Sequence, residues 1–393
     1  MCSHSRPIQT MVPLQWPTVS LNQNARQIVK SKMFQPADDF RSVRGELVAL
    51  RRRMLSMSQA ELAKEIGMAQ GTLSKIEQGL KEVSMEQTER LAIALDCPSS
   101  FFRQVEREYG APMSAHAMFR KKSSVGQKVI DRVIAELNVR IAHVRKFLSS
   151  VDLEPELPFP RYDIDDFDGQ ADVVADNVRR AWLLPRGPIR SLTECAERAG
   201  CLVIQCDLEE AKIDGVSYRI PGLPPIIFLN RSQPADRMRF SLAHELGHLI
   251  MHPYPTATME EEADQFASAL LMPAFDIGPE LRDLTIDKAA YMKPVWRVSM
   301  ASLIFRAGYL GRIDRYKAEY LWRQMSSRGF RIREPQSLDF SREETSVMDA
   351  LISHTVQEMG YSPDELPLML NLNYSELSRL YRLERQTGLR IIK

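Results

Sequence analysis

The stretch Arg239–His252, "RFSLAHELGHLIMH", decides how this chain reads. Leu246, Leu249 and Ile250 recur at helical spacing and would anchor a helix, expected over Asp236–His252, in a core. His244 and His248 are four residues apart, so they share one face about one turn, or ~6 Å, from each other. Both imidazoles can then reach one tetrahedral ion at ~2.1 Å. Glu245, beside the first histidine, can take a proton from water at such an ion and pass it to a leaving amine. Gly247 has no side chain, which suits close approach of a neighbouring element. HExxH on a helix is a zinc-peptidase pattern. A buried helix with two hydrogen-bonded core histidines shows the same letters, so the context must decide.

A catalytic zinc needs a third protein ligand and an open fourth position. "EEEADQFASALLMP" (260–273) offers the ligand at helical spacing. Glu260 and Asp264 share a face that Ala267 and Leu271 continue. Glu260 is the expected ligand, and Asp264 the carboxylate that orients a ligating histidine from behind. Glu261 and Glu262 are the alternatives if that helix begins later. The metzincin spacing is excluded, because its third histidine would fall on Tyr254 and its glycine on Met251. His252 lies two turns, ~12 Å, beyond His244 and is read as structural or outer-shell. "PIIFLN" (225–230) is expected to be an edge strand holding an extended peptide over the metal. "CLVIQC" (201–206) and "GVSYRI" (215–220) are further strands, with helices near 168–183 and 188–199.

These blocks, with "DNVRRAWLLPRGPIRSLTECAERAGCLVIQ" before them, resemble the ImmA/IrrE family of metallo-endopeptidases from about Ala171 to Phe275. The resemblance implies a zincin-like α+β fold, a single zinc ion and cleavage of a repressor-type protein. By motif position it makes His244 and His248 ligands and Glu245 the catalytic glutamate, and puts the carboxylate ligand in "EEEAD". Asp264 stands where many relatives have asparagine.

A second pattern lies upstream. "MSQAELAKEIGMAQGTLSKIEQG" (57–79) resembles the helix-turn-helix of XRE, or Cro/C1-type, repressors. Ser58 can cap a helix whose N-terminal amides, with Gln59, suit a phosphate. Ala60, Leu62, Ala63 and Ile66 form its expected buried side, and Gly67 supplies the turn. The next helix, Ala69–Gln78, buries Leu73 and Ile76 and exposes Gln70, Gly71, Thr72 and Lys75 where base edges would lie. Gln70 can pair with adenine, and Lys75 can reach guanine or phosphate. Arg51–Arg53 and Lys81 are candidates for backbone phosphate. A helical bundle of this kind could also bind protein. Residues 41–103 hold ten Lys/Arg and eight Asp/Glu, a weak field for one copy on double-stranded DNA, which favours a homodimer.

The chain-wide numbers set the frame. A chain of 393 residues exceeds one ordinary core. The net charge of +1 gives no global attraction to nucleic acid or membrane. Five scattered cysteines without a CxxC pair suit free thiols in a reducing compartment. No apolar run approaches the ~20 residues of a membrane span, and the N-terminus has no secretory h-region. A cytoplasmic protein is expected.

The expected architecture is multidomain α+β. Residues 1–39 are read as disordered, with Met33 an alternative start. An all-α helix-turn-helix bundle occupies 40–103, with a helix expected over Ser42–Leu55. A helical connector at 104–150 includes a long helix over Val125–Leu148; nine Lys/Arg against four Asp/Glu there, "FRKK" (119–122) among them, could add to DNA affinity. The zincin-like domain spans 151–275, and a mostly helical region spans 276–393. In that last region "GFRIRE" is a strand candidate, Gly308 marks a turn, and 296–313 reads as a packing helix pair. The reading is a DNA-binding regulator with a fused zinc endopeptidase cleaving a repressor-type partner or itself. The alternative is a regulator whose zincin domain senses metal or ligand without cutting.

Overall fold

The computed structural model describes residues 42–105, 108–110, 125–362 and 365–382. The expected disordered segment 1–39 and "FRKK" lie outside the described residues.

Four helices and a 3-10 turn build the N-terminal bundle: α1 (Gly45–Met54), α2 (Gln59–Glu65), α3 (Gln70–Glu77), α4 (Met85–Ala94) and the turn Ser99–Arg103. The starts follow from capping chemistry. Ser58 and Ser84 each form a capping box, with Glu61 and Gln87 closing back on the cap N–H. Gly67, at φ +66°, ends α2 in the left-handed region. Leu47, Leu62, Leu73, Leu91 and Phe102 fill the core. Ala60, expected inside, is exposed, because it sits on the outer side of a two-turn helix.

The connector helix α5 (Gln127–Leu148) follows. Then come α6 (Ala171–Ala181), α7 (Leu192–Arg198), β1 (Leu202–Cys206), β2 (Gly215–Tyr218), β3 (Ile226–Asn230), α8 (Ala235–Met251) and α9 (Met259–Leu271). The strand order is β1-β3-β2, with β1 parallel and β2 antiparallel to β3. The strand "PIIFLN", expected at the edge, is therefore central. Its apolar run is the mark of a strand covered on both faces, and all five residues of β3 are buried. The sheet's alternation sorts its residues. Val203, Ile227 and Leu229 join the core containing α6, α8 and α9. Leu202, Ile204, Val216, Tyr218 and Phe228 join the core shared by α5 and the N-terminal bundle.

The expected single C-terminal region divides between these two cores. The short helix α10 (Ala274–Ile277), α11 (Ile286–Trp296), α12 (Met300–Tyr309) and α13 (Arg315–Ser327) extend the α8–α9 core. Helices α14 (Val347–Gln357), α15 (Leu366–Leu370) and α16 (Tyr374–Tyr381) return to the N-terminal bundle. Gly308 lies inside α12, and the reversal falls at Gly311, at φ +61°. "GFRIRE" (329–334) forms no strand. Ile332 is 95% exposed, and the segment is held through the Glu334 side chain instead. That carboxylate accepts from Lys293 at 2.8 Å and from the first amides of α12.

Buried charge ties the C-terminal helices to the N-terminal bundle and to α5. Arg51, 1% exposed, donates to the Leu95 and Asp96 carbonyls and pairs with Glu376 on α16 at 2.6 Å. On α5, Arg140 pairs with Glu136 and donates to the Leu380 carbonyl, while His143 bridges the Tyr381 hydroxyl and the Leu370 carbonyl. Burial holds His143 well below its usual range, hence neutral. Removing one partner of a buried pair leaves an uncompensated charge, at about 3–5 kcal/mol. Glu376→Ala should therefore destabilise the N-terminal bundle by roughly that amount. Chemical denaturation followed by far-ultraviolet circular dichroism measures it, and an unchanged midpoint refutes the role given to the pair.

Candidate metal centre and candidate nucleic-acid interface

Helix α8 starts after Pro234 and ends at His252, because Pro253 disfavours helical backbone in the residue before it. Its apolar face, Leu242, Leu246 and Ile250, is buried in the core. Helix α9 crosses it closely. A Cβ on Gly247 would lie 3.0 Å from the Phe266 ring and 3.4 Å from the Ala263 backbone. Any side chain here would force the Phe266 ring or α9 to give by a few tenths of an ångström.

That approach brings three side chains together. The Nε2 atoms of His244 and His248 are 3.0 Å apart. Glu260 places its carboxylate oxygens 3.4 Å from His248 Nε2 and 4.0 Å from His244 Nε2. Atoms ~2.1 Å from one tetrahedral ion stand roughly 3.4 Å from each other, so the spacing fits a zinc-sized cation. The three consecutive glutamates open α9, where the helix dipole favours them, and fan apart. Glu260 faces the histidines, Glu261 meets Gln265, and Glu262 meets His252.

The outer nitrogens decide which atoms hold protons. His244 Nδ1 lies 2.8 Å from Asp264, an acceptor, so Nδ1 carries the hydrogen and Nε2 a lone pair. His252 Nε2 lies 2.9 Å from Glu262 and donates to it. The neutral His252 then offers Nδ1 as an acceptor to His248 Nδ1, 3.0 Å away. Burial lowers His252, which keeps it neutral. His248 Nε2 is thus also a lone pair. Two lone pairs at 3.0 Å repel unless a cation or a proton sits between them. Burial opposes a proton on His244, but the hydrogen bond to Asp264 and the charges of Glu245, Asp264 and Glu260 outweigh it and raise His244 overall. Divalent cation and proton compete for the same place.

Glu245 is not one of the three converging groups. It is 1% exposed and receives the Ser217 hydroxyl at 2.6 Å. A Cβ on Gly215 would lie 3.2 Å from its Cγ. The strand beside the Glu245 carboxylate is therefore β2, which among the described residues pairs only with β3. Sequence reasoning chose the wrong strand and gave Ser217 no part. The clue was the alternation in "GVSY", which puts Gly215 and Ser217 on one face.

In the N-terminal bundle, Gln70, Gly71 and Lys75 are exposed along α3 and Thr72 is half-buried. Gln59 donates to Glu77 at 2.7 Å, which fixes its amide between α2 and α3. The arginines expected at phosphate are engaged internally. Arg51 is buried, Arg52 forks onto Glu77, and Arg53 meets Glu108.

Comparison with known families agrees with both halves. A helix-turn-helix family matches residues 48–102. A peptidase family described as the IrrE N-terminal-like domain matches residues 196–307, which include all of α8 and α9. The chain fuses a helix-turn-helix domain to an IrrE N-terminal-like domain. No curated protein matches the chain. The IrrE-like match continues through α11 and into α12, in keeping with the packing of both on the α8–α9 core. No helix among the described residues is long and apolar enough to cross a membrane.

Overpacking of a close contact costs about 1–3 kcal/mol. Gly247→Val should therefore push α9 from α8, separate Glu260 from the histidines, and weaken binding of divalent cation. Equilibrium dialysis with zinc checks this; unchanged affinity in a folded variant contradicts it.

Proposed function

We propose that this protein is a DNA-binding regulator of transcription whose IrrE-like domain is a zinc-dependent endopeptidase. The observation that carries the peptidase reading is the convergence of His244 Nε2, His248 Nε2 and the Glu260 carboxylate on one point, with Glu245 on the adjoining residue. His244, His248 and Glu260 would hold the ion, and Asp264 would orient His244. Zinc bound there supplies a Lewis acid that polarises a carbonyl and makes water acidic near neutral pH.

The chain's own groups do the rest. Glu245 takes the proton of the attacking water and delivers it to the leaving amine nitrogen. Ser217 donates to Glu245 Oε2, which holds the carboxylate in place and leaves Oε1 to carry the proton. An extended peptide aligns along β2, where main-chain hydrogen bonds bind it without regard to sequence. The substrate is a repressor-type protein: a partner, a sister copy or the chain itself.

Gln70, Gly71, Thr72 and Lys75 meet base edges in the major groove of a double-stranded operator, and Gln59 supports the backbone contact. Engagement of Arg51, Arg52 and Arg53 inside the bundle leaves few cations for phosphate, which favours a homodimer on two half-sites. Leu80, Met85 and Ile93, all at least 73% exposed, offer apolar surface on this domain.

One observation favours the non-cleaving sensor. Glu245 is buried, and its carboxylate already has a partner. Glu245→Gln separates the readings. It should keep zinc and lower cleavage by about 10²–10⁴-fold. Co-expression with proteins of neighbouring loci, followed by mass spectrometry, looks for products that vanish in the variant. Unchanged gene control with zinc retained leaves the sensor. For the other half, Gln70→Ala should weaken specific DNA binding by about 1–3 kcal/mol and relax preference at one base. Equal weakening on all sequences in a mobility-shift series contradicts base reading.

A further inference from the structure

The pair His252–Glu262 lies outside the three converging groups, yet it is buried and aimed at one of them. His252 has 1% of its side chain exposed, and Glu262 15%. Pro253 stops α8 at His252, so the backbone turns out of the helix at φ −112° and the ring folds back on His248 instead of continuing along the axis. The two rings meet at 5.1 Å between centroids and 55° between planes. The contact joins Nδ1 to Nδ1, an arrangement that works for neutral rings only if one nitrogen donates and the other accepts.

We infer that His252, oriented by Glu262, is a positioning residue that selects the tautomer of His248 and so sets the affinity of this centre for divalent cation. The inference rests on the metal-centre reading above. Glu262 accepts only, so His252 keeps its hydrogen on Nε2. His252 Nδ1 then accepts only, so His248 must hold its hydrogen on Nδ1 and turn the Nε2 lone pair inward. His244 receives the same instruction from Asp264 by one direct bond. Two routes of different length therefore prepare the two histidines. One carboxylate acts directly from α9, and the other acts through a third ring. Without the relay, His248 Nδ1 would sit in a buried space without an acceptor. The hydrogen would move to Nε2, where it blocks the cation.

The relay also accounts for the fan of Glu260, Glu261 and Glu262. Successive residues on a helix project ~100° apart, so no two of them can serve one histidine ring from the same side. Glu260 and Glu262 reach different rings of one row, His248 and His252.

The test is zinc affinity of the full chain, measured by competition with a chromophoric chelator. His252→Leu removes the acceptor at similar volume and should weaken zinc about 10–100-fold, the range for lost outer partners of metal ligands. His252→Asn sets Oδ1 where Nδ1 stood and should recover most of that loss. Glu262→Ala frees the tautomer of His252 and should fall between them. A purely structural His252 predicts lowered thermal stability for His252→Leu with zinc affinity unchanged. The spectroscopic check is long-range proton–nitrogen correlation on 15N-histidine protein without metal. His248 should carry its hydrogen on Nδ1 in wild type and show mixed tautomers in Glu262→Ala. Wild type that binds no zinc sinks the metal-centre reading itself. Zinc bound by wild type and His252→Leu within twofold of each other sinks this inference alone. Should His252→Leu fail to fold, unchanged affinity in Glu262→Ala, or an Nε2 hydrogen on His248 of wild type, overturns it.

Discussion

The contact of α8 with α9 at Gly247 governs the rest of the IrrE-like domain. Two histidines four apart on a helix make only half a ligand set. The carboxylate must come from a second helix near enough for a short glutamate side chain. Gly247 permits that approach, with Phe266 and Ala263 filling the space a Cβ would take. The histidines, their partner carboxylates and the relay through His252 all lie along this seam. A shift of one helix by a fraction of an ångström would alter every distance in it, because a packed core transmits displacement instead of absorbing it.

The sheet is a wall common to both halves. One face carries the residues against which α8 rests. The other packs with α5 and the DNA-reading bundle. Edge strand β2 spans both sides, with Gly215 and Ser217 toward Glu245 and Val216 and Tyr218 toward α5. The C-terminal segment closes the circuit. Glu343 pairs with Arg239 on α8 and accepts from Thr193, Ser346 meets Glu197, and α16 meets Arg51 in the bundle. Buried ion pairs of this kind contribute more to a fixed arrangement than to net stability, since desolvation offsets much of their attraction.

Local chemistry made much of this legible. Ser58 and Ser84 announce helices through their capping boxes, and the spacing of His244, Glu245 and His248, read together with the glutamates that follow at 260–262, points to a candidate metal helix. Glu260 was favoured over its neighbours by sharing a face with Asp264, and the structure brings it to the histidines. Other residues were misread because their surroundings are set by tertiary packing. Arg51 looked free for phosphate, but Glu376 lies 325 residues away. "PIIFLN" was read as an edge strand, but it lies at the centre of the sheet, and its apolar run suits that covered place. "GFRIRE" had strand-like alternation but forms no strand, and Glu334 was claimed by Lys293 and α12.

By itself, the sequence determined the helix starts, the four-residue spacing of His244 and His248, the dense glutamates at the head of α9 and the paired signatures of a helix-turn-helix and an HExxH helix. These depend on interactions within one turn of backbone. Tertiary structure alone decided which strand lies beside Glu245, which glutamate faces which ring, that Ser217 meets Glu245 and His252 meets His248, and that the C-terminal helices pack on the N-terminal bundle. Those outcomes depend on close approach and on buried charge finding its partner, and both are set by where whole elements come to rest.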